Sequence, residues 1–409
     1  MTARFARFLR FGVLAVTGLI LTWGEYAVAS EPIRVGMTVS STGRFALAAQ
    51  AGARGAQIWV DDVNRRGGIM IGGEQRLVEL IELDDRSDKQ MVARVYENLI
   101  NDRNVDVLFG PFGSTLTGAA AHVTEKYGKF LIIWSASSDK IYEQGYNYVV
   151  SGSQIAASLL GAPAVRLIHS LGIKKIAFAY LDEPFPAGMA KGAAKLAEDL
   201  GIEVTMMEKF AKGTKDFSIM FLKAKATGAQ AIYPVGYEGE QMAMARQLRE
   251  MNIDFPLVYM VYASQAQFLA IGEDADYIFS QTLMHEKVNW KVTDGLNRGQ
   301  VAERYDELFP NAAYPADFQT ALAYSAGAVL EKIITTADSL DPATMKQAAI
   351  SLSGKITVMT GPYEILDTGK QVKMEFVIMQ NQGGGAEVVY PPEVRTAQPI
   401  FPVPKFEER

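Results

Sequence analysis

The chain contains no cysteine. That excludes a disulfide framework, a thiol nucleophile and lipid attachment through a cysteine near the N-terminus. Histidine is almost as scarce. The three present, His122, His169 and His285, are far apart and none sits in a metal-ligand spacing such as H-E-x-x-H. His122 and His169 fall on expected helices, as surface or core-edge residues, and His285 lies near an expected domain crossing; none is assigned a site. There is no G-x-x-x-x-G-K-[ST] phosphate loop and no G-x-S-x-G elbow, so a secreted hydrolase lacks an identifiable nucleophile and base. Neither a cofactor nor a metal is implied, and an enzyme is not expected. Long blocks of one charge sign are missing too: 40 basic and 46 acidic residues are interspersed, with a net charge of −6. A chain of that balance offers no arm for nucleic acid and no attraction to anionic lipid.

What is present divides into a short leader and a long globular chain. Arg4, Arg7 and Arg10 form a basic start, Phe11 to Trp23 an apolar run, and Ala27-Val28-Ala29 or Val28-Ala29-Ser30 a small-residue cleavage site. This is the pattern of a cleaved export signal over residues 1–30, and the apolar run is short of the ~20 residues a membrane anchor needs. The leader holds three arginines and one glutamate, so the mature chain carries −8. A soluble periplasmic protein without membrane insertion, and a monomer, are expected. With 409 residues, 49% of them hydrophobic, the chain has enough apolar material for two cores.

Short apolar runs alternate with helical stretches, the βα rhythm of parallel sheets. Strands are expected at Ile33–Thr38, Leu77–Leu83, Val105–Gly110, Phe130–Trp134, Lys175–Tyr180, Glu203–Glu208, Ala231–Val235, Leu257–Val261 and Tyr277–Leu283. Between them, Met91, Val95 and Leu99 recur at helical spacing behind Ser87, with Gln90 placed for a capping box. Leu116, Ala120, Val123 and Tyr127 do so behind Ser114, and Met189, Ala193, Leu196 and Leu200 before Gly201. These stripes are core packing. From about residue 297 helices Gly299–Leu308, Phe318–Ala337 and Pro342–Leu352 follow one another, then an antiparallel segment Glu364–Gln380. A helical block followed by late strands implies a chain that returns to an earlier domain. The expected fold is α/β: two doubly wound parallel-sheet lobes, residues 31–151 with 284–359 and residues 152–283 with 360–409, joined by a three-stranded hinge.

The chemistry gathers at the carboxyl ends of strands, where open α/β sheets bind ligands. Gly110-Pro111-Phe112-Gly113-Ser114 ends one strand and opens a helix, and Trp134-Ser135-Ala136-Ser137-Ser138 ends the next. A helix N-terminus with unpaired N–H groups captures an anion without Arg or Lys. The plainer reading is that Ser114 and Ser138 only cap helices.

These residues and others resemble one family. Ile33-Arg34-Val35-Gly36 precedes Ser41-Thr42-Gly43, Asn64-Arg65-Arg66-Gly67-Gly68-Ile69 and Asp84-Asp85. Gly110-Pro111 through Thr117, Ser135-Ala136-Ser137, Asp182 with Phe185 and Gly188, Gly236-Tyr237, and Gly361-Pro362-Tyr363 before Asp367 follow in order. The chain thus resembles the periplasmic leucine/isoleucine/valine-binding proteins of ABC importers. The resemblance implies the type I periplasmic-binding fold, a membrane permease as partner and closure over a small-molecule carboxylate. It implies that Ser114 and Ser137 hydrogen-bond the carboxylate with the backbone of Ser135, while Phe185 and Tyr237 approach from the second lobe.

One departure bears on the ligand. Amino-acid binders of the family hold the ammonium with a second-lobe carboxylate, but the matching stretch, Tyr259-Met260-Val261-Tyr262-Ala263, has no acid. A buried ammonium without a partner is costly by several kcal/mol. Phe45, Phe112, Trp134, Phe185, Tyr237 and Tyr262 supply apolar walls, which suit an aromatic or keto acid. Alternatively Glu238 or Asp182 replaces the missing acid and the ligand is a branched-chain amino acid. A ligand-sensing module reporting to a signalling partner would share the same fold and pocket.

Overall fold

The computed structural model describes residues 31–288, 290–374 and 376–409; the expected export signal, 1–30, lies outside them. The chain begins with β1 (Ile33–Val39), α1 (Ala46–Arg65), the hairpin β2 (Ile69–Ile71) and β3 (Glu74–Arg76), β4 (Val78–Asp84) and α2 (Lys89–Asn101). It continues through β5 (Val107–Phe109), α3 (Ser114–Lys126), β6 (Leu131–Ile133), the single turn α4 (Asp139–Tyr142) and β7 (Val149–Ser151). Five of these strands form a parallel sheet in the order β4-β1-β5-β6-β7. Every residue of β5, β6 and β7 is buried, which is why they read as unbroken apolar runs rather than alternating ones.

A second run supplies α5 (Ala157–Leu160), α6 (Ala162–Ser170), β8 (Lys175–Leu181), α7 (Pro184–Asp199), β9 (Glu203–Phe210) and α8 (Ser218–Ala226). β10 (Ala231–Val235), α9 (Glu238–Glu250), β11 (Leu257–Val258) and α10 (Ala266–Leu269) complete it. Its strands form a parallel sheet in the order β11-β10-β8-β9. After β12 (Phe279–Thr282) come α11 (Arg298–Leu308), α12 (Phe318–Ala337) and α13 (Pro342–Leu352), then β13 (Thr357–Val358), β14 (Gly361–Pro362), β15 (Val377–Gln382) and β16 (Gly385–Tyr390).

The late helices return to the first sheet. α12 packs along α1, and small residues permit the approach: a Cβ on Gly55 would lie 2.3 Å from the Thr320 carbonyl oxygen. α13 reaches β7, where Lys346 Nζ donates to the Val149 carbonyl at 2.7 Å. β15 pairs antiparallel with both β12 and β16, and a parallel bridge from Tyr259 to Phe279 attaches this trio to the end of the second sheet.

Three details differ from the sequence-based expectation. The expected antiparallel segment Glu364–Gln380 is regular strand only from Val377, with a single antiparallel bridge, Ile365 to Gln371, before it; the partner β16 was not expected, and Gly383-Gly384, both at positive φ (58° and 83°), form the turn between β15 and β16. The cap of α2 is Asp88, whose carboxylate accepts from the Gln90 and Met91 amides. Ser87 is held elsewhere: its Oγ donates to the Thr42 carbonyl and accepts from the Phe45 amide. The buried stripe of α2 is accordingly Val92, Tyr96, Leu99 and Ile100.

Candidate ligand-binding site

Each parallel sheet has one place where the chain turns in opposite directions from adjacent strands. In the first sheet it lies between β1 and β5, in the second between β8 and β10. The helices that follow such strands diverge and leave a crevice at the strands' carboxyl ends. The loops and first helical turns after these strands carry Phe45, Phe112, Phe185 and Tyr237, and all four rings are buried. They meet one another: ring centroids are 5.2 Å apart for Phe45 and Phe112, 4.8 Å for Phe45 and Tyr237, and 5.6 Å for Phe185 and Tyr237. The two crevices therefore face each other in a closed arrangement, each aromatic pair contributing roughly 0.5–1.5 kcal/mol beyond its burial.

Beneath these rings the closed arrangement leaves a small cavity of about 30 Å³, well below the ~300–1,000 Å³ of small-molecule sites, so a ligand would enter only as the walls move apart. The first sheet's side supplies Phe112, Gly113, Ser114, Ser135 and Gln154, and the start of α12 supplies Phe318 and Gln319. Leu160, Phe185, Tyr237, Val261, Tyr262, Gln281 and Phe376 close the remainder.

Gly113 is the N-cap of α3 with φ +77°, a conformation that favours glycine, and its N–H donates to Ser135 Oγ at 2.9 Å. The first bond inside α3 runs from the Thr117 amide to the Gly113 carbonyl. The amides of Ser114, Thr115 and Leu116 thus have no intrahelical acceptor, and the positive end of the helix dipole opens at the cavity wall. Ser114 Oγ accepts from the amides of Ser137 (3.2 Å) and Ser138 (3.0 Å). With its lone pairs so used, its hydrogen is left to donate to a ligand. Ser114 is therefore not a cap, nor does the Ser138 side chain cap α4. The Tyr237 hydroxyl is buried, has no protein partner, and lies 3.5 Å from where a Cβ on Gly113 would stand. Burial, and secondarily the Glu183 charge, push this phenol above its ordinary range, so it remains a donor.

Of the residues singled out from sequence, Ser114, Ser135, Phe112, Phe185, Tyr237 and Tyr262 line the cavity. Trp134, Phe45 and Ser137 stand one layer behind. The Trp134 indole donates to the Gly110 carbonyl at 2.7 Å and fills the space over Gly52. Phe45 backs Phe112 and Tyr237 beneath the Arg44 guanidinium. Ser137 accepts the Ala157 amide at its carbonyl, while its buried hydroxyl has no partner. Sequence reasoning missed Gln154, Gln281 and Gln319. The capping aspartate Asp317, immediately before the α12 run, is a signal that places Gln319 at a helix start.

None of the lining residues is charged. Asp182 is exposed and paired with Lys209 at 2.7 Å. Glu238 and Asp317 lie just outside the lining. Burial pushes the Glu238 carboxyl up to about 7, opposed by a hydrogen bond from Gln267 and reinforced by Asp317. Burial likewise raises Asp317 to about 6, against hydrogen bonds from the Thr320 and Gln319 amides. His122 and His169 are exposed, and His285 is half-buried. Among the described residues no group of three or more His, Asp or Glu is placed to hold a metal ion, and no helix is long and apolar enough to cross a membrane.

Residues 32–386 match the sequence model of a family described as periplasmic binding protein. The chain belongs to this family. Its relatives include the leucine-, isoleucine-, valine-, threonine- and alanine-binding protein of Pseudomonas aeruginosa, 26% identical over 348 residues, 85% of this chain and 88% of that protein. Among solved structures, a Streptococcus pneumoniae branched-chain amino acid transporter substrate-binding protein in complex with isoleucine superposes with a TM-score of 0.72. It is 24% identical over 88% of this chain and all of that one. A solute-binding protein of an R. palustris ABC transporter in complex with 4-hydroxybenzoate gives a TM-score of 0.72 at 19% identity, over 87% of this chain and 95% of that one. This periplasmic binding protein thus has the type I fold.

Proposed function

We propose that this protein is the periplasmic, non-enzymatic solute-binding component of an ABC importer, closing over a small carboxylate with an aromatic or keto-acid body and no obligatory amine. The carrying observation is the chemistry of the lining: hydroxyls, a helix N-terminus and aromatic walls, with no charged side chain. Neutral donors and a helix dipole satisfy a carboxylate. An ammonium in the same cavity meets no carboxylate in the wall, and desolvating it there is costly. One fold accommodates isoleucine in one neighbour and 4-hydroxybenzoate in another, so the ligand is argued from the lining and not from the fold.

In this reading residues 31–151 with 284–359 and residues 152–283 with 360–409 are two lobes. The first presents Ser114 and Ser135 to the carboxylate, and the second brings Phe185 and Tyr237 over its body. The closed form then docks on a membrane permease; residues 1–30 direct export, and the protein acts as a monomer. A second reading, a branched-chain amino acid with its ammonium toward Glu238, is favoured by one observation: a buried Glu238 Oε1 without a hydrogen-bond partner. Calorimetric titration of protein stripped of ligand by unfolding and refolding separates the two. Tight binding of 4-hydroxybenzoate with weak leucine binding supports the acid; tight leucine binding alone overturns it.

A further inference from the structure

Buried glutamines in this protein are as a rule paired. Gln241 accepts the Tyr262 amide at 3.0 Å and donates to the Pro234 carbonyl at 3.0 Å. Gln281 Oε1 accepts the Tyr259 hydroxyl at 2.6 Å, and Gln380 donates to the Ile400 carbonyl and accepts its amide. Among the described residues, Gln154 and Gln319 are the glutamines whose buried side-chain oxygen has no partner. They are 7% and 2% exposed, the carboxamide oxygen of each is buried without a partner, and neither side-chain nitrogen bonds any described protein group. Both line the cavity.

Their backbones are nonetheless fixed. The Gln319 amide is held by the Asp317 cap at 2.9 Å. Ser151 Oγ donates to the Gln154 carbonyl at 2.8 Å, and Ser153 Oγ lies 3.0 Å from the Trp134 carbonyl and 2.8 Å from that of Leu322. The turn bearing Gln154 is thereby pinned between the Ser135 loop and the first turns of α12. Two positioned carboxamides share one cavity with nothing in the protein to bond. Buried polar groups are nearly always satisfied, and exceptions need an explanation.

We propose that Gln154 and Gln319 form a polar subsite that reads a neutral hydroxyl on the ligand body, so that hydroxylated aromatic carboxylates bind in preference to their unsubstituted parents. The inference rests on the carboxylate reading above and deepens it. A hydroxyl both donates and accepts, and a carboxamide offers both functions, so one hydroxyl between two carboxamides satisfies an oxygen of one and a nitrogen of the other. A parent acid fills the same apolar space but leaves both amides desolvated and unpaired, the situation in which hydrogen-bonding sites discriminate best.

The test is titration of benzoate, 3-hydroxybenzoate and 4-hydroxybenzoate into the ligand-stripped protein and into Gln154→Met, Gln319→Met and Ser114→Ala. One hydroxylated isomer is expected to bind the unaltered protein about tenfold or more tighter than benzoate. Each methionine variant is expected to lose about that factor for the hydroxylated acid while benzoate binding holds within about twofold. Ser114→Ala weakens all the acids alike. Thermal melts of the ligand-free methionine variants report folding, and removal of an unpaired buried amide predicts melting temperatures at or above that of the unaltered protein. Equal binding of the three acids, or methionine variants that weaken all three equally, overturns the subsite while leaving the carboxylate reading intact. Failure of every acid together with tight leucine binding overturns both.

Discussion

The guanidinium of Arg44, in the loop after β1, pairs with both carboxylate oxygens of Glu183, the residue that precedes α7. The pair spans the cleft: Arg44 also lies 4.3 Å from the Phe45 ring centroid, 5.1 Å from that of Tyr237, and 3.9 Å from Glu240. Thr115 of α3 donates to the same Glu183 carboxylate at 3.3 Å. These contacts join the first sheet's loops to the second sheet's helices, so a parting of the two crevices, as the proposed function requires, would break them.

Arg44→Met keeps the apolar stem over Phe45 and removes the charge. Because a ligand's affinity depends on how stable the closed state is, this variant is expected to bind about tenfold more weakly, mainly through faster dissociation. Stopped-flow release of ligand checks it; an unchanged release rate would show that the latch contributes nothing.

Ser114→Ala removes a hydroxyl hydrogen directed by two backbone amides, and leaves the Ser137 and Ser138 amides without their acceptor. The expected loss in carboxylate affinity is about 10- to 100-fold, with stability lowered by roughly 1–3 kcal/mol. Calorimetry and denaturant unfolding on the same preparation separate the two effects. Since no exposed cation takes part, affinity is also expected to be nearly independent of ionic strength.

Glu238 gives a pH dependence with a defined sign. Its carboxyl is raised from an ordinary 4.5 to about 7 in the folded protein, so the folded state holds the proton more tightly than the unfolded one. Stability from this group is full at low pH and is lost as pH rises through about 7. Glu238→Gln mimics the protonated form and abolishes that loss. Melting curves of the ligand-free proteins should therefore agree near pH 4.5 and diverge at alkaline pH, the variant melting higher by at least about 2 °C. A constant offset at all pH values would contradict this.

Gly52 on α1 sits against the Trp134 ring; a Cβ there would come within 2.0 Å of Cη2. The indole cannot readily retreat because its Nε1 is bonded to the Gly110 carbonyl and it is fully buried. Gly52→Ala is expected to cost about 1–3 kcal/mol and to displace Phe112, 5.9 Å away, from the cavity wall. Unfolding with urea and a ligand titration measure both consequences.

Much of the fold was legible because its signals are local. Apolar runs such as Ala231–Val235 and helices such as Phe318–Ala337 and Pro342–Leu352 are bounded as expected. The helical return to the first sheet was legible from element order alone. The hairpin partner Gly385–Tyr390 was not expected, although Gly383-Gly384 marks its turn.

Of the candidate residues, Ser114, Ser135, Phe112, Phe185 and Tyr237 could be placed at the cavity from sequence because they follow strands at the two crevices. Trp134 and Phe45 were not distinguishable from wall residues, since which way a ring faces is decided by packing: Trp134 against Gly52, far off in sequence, and Phe45 against Phe112 and Tyr237. Gln154 and Gln319 gave no signal because their significance is an unmet hydrogen bond, a property of packing and not of spacing.

The uncharged cradle is tested most directly by a crystal structure of the protein with 4-hydroxybenzoate bound. The carboxylate is expected within hydrogen-bond distance of Ser114 Oγ, the first amides of α3 and the Tyr237 hydroxyl, with the ring between Phe112 and Phe185. A carboxylate bound instead against a cationic side chain, or a ligand outside this cavity, would contradict the account.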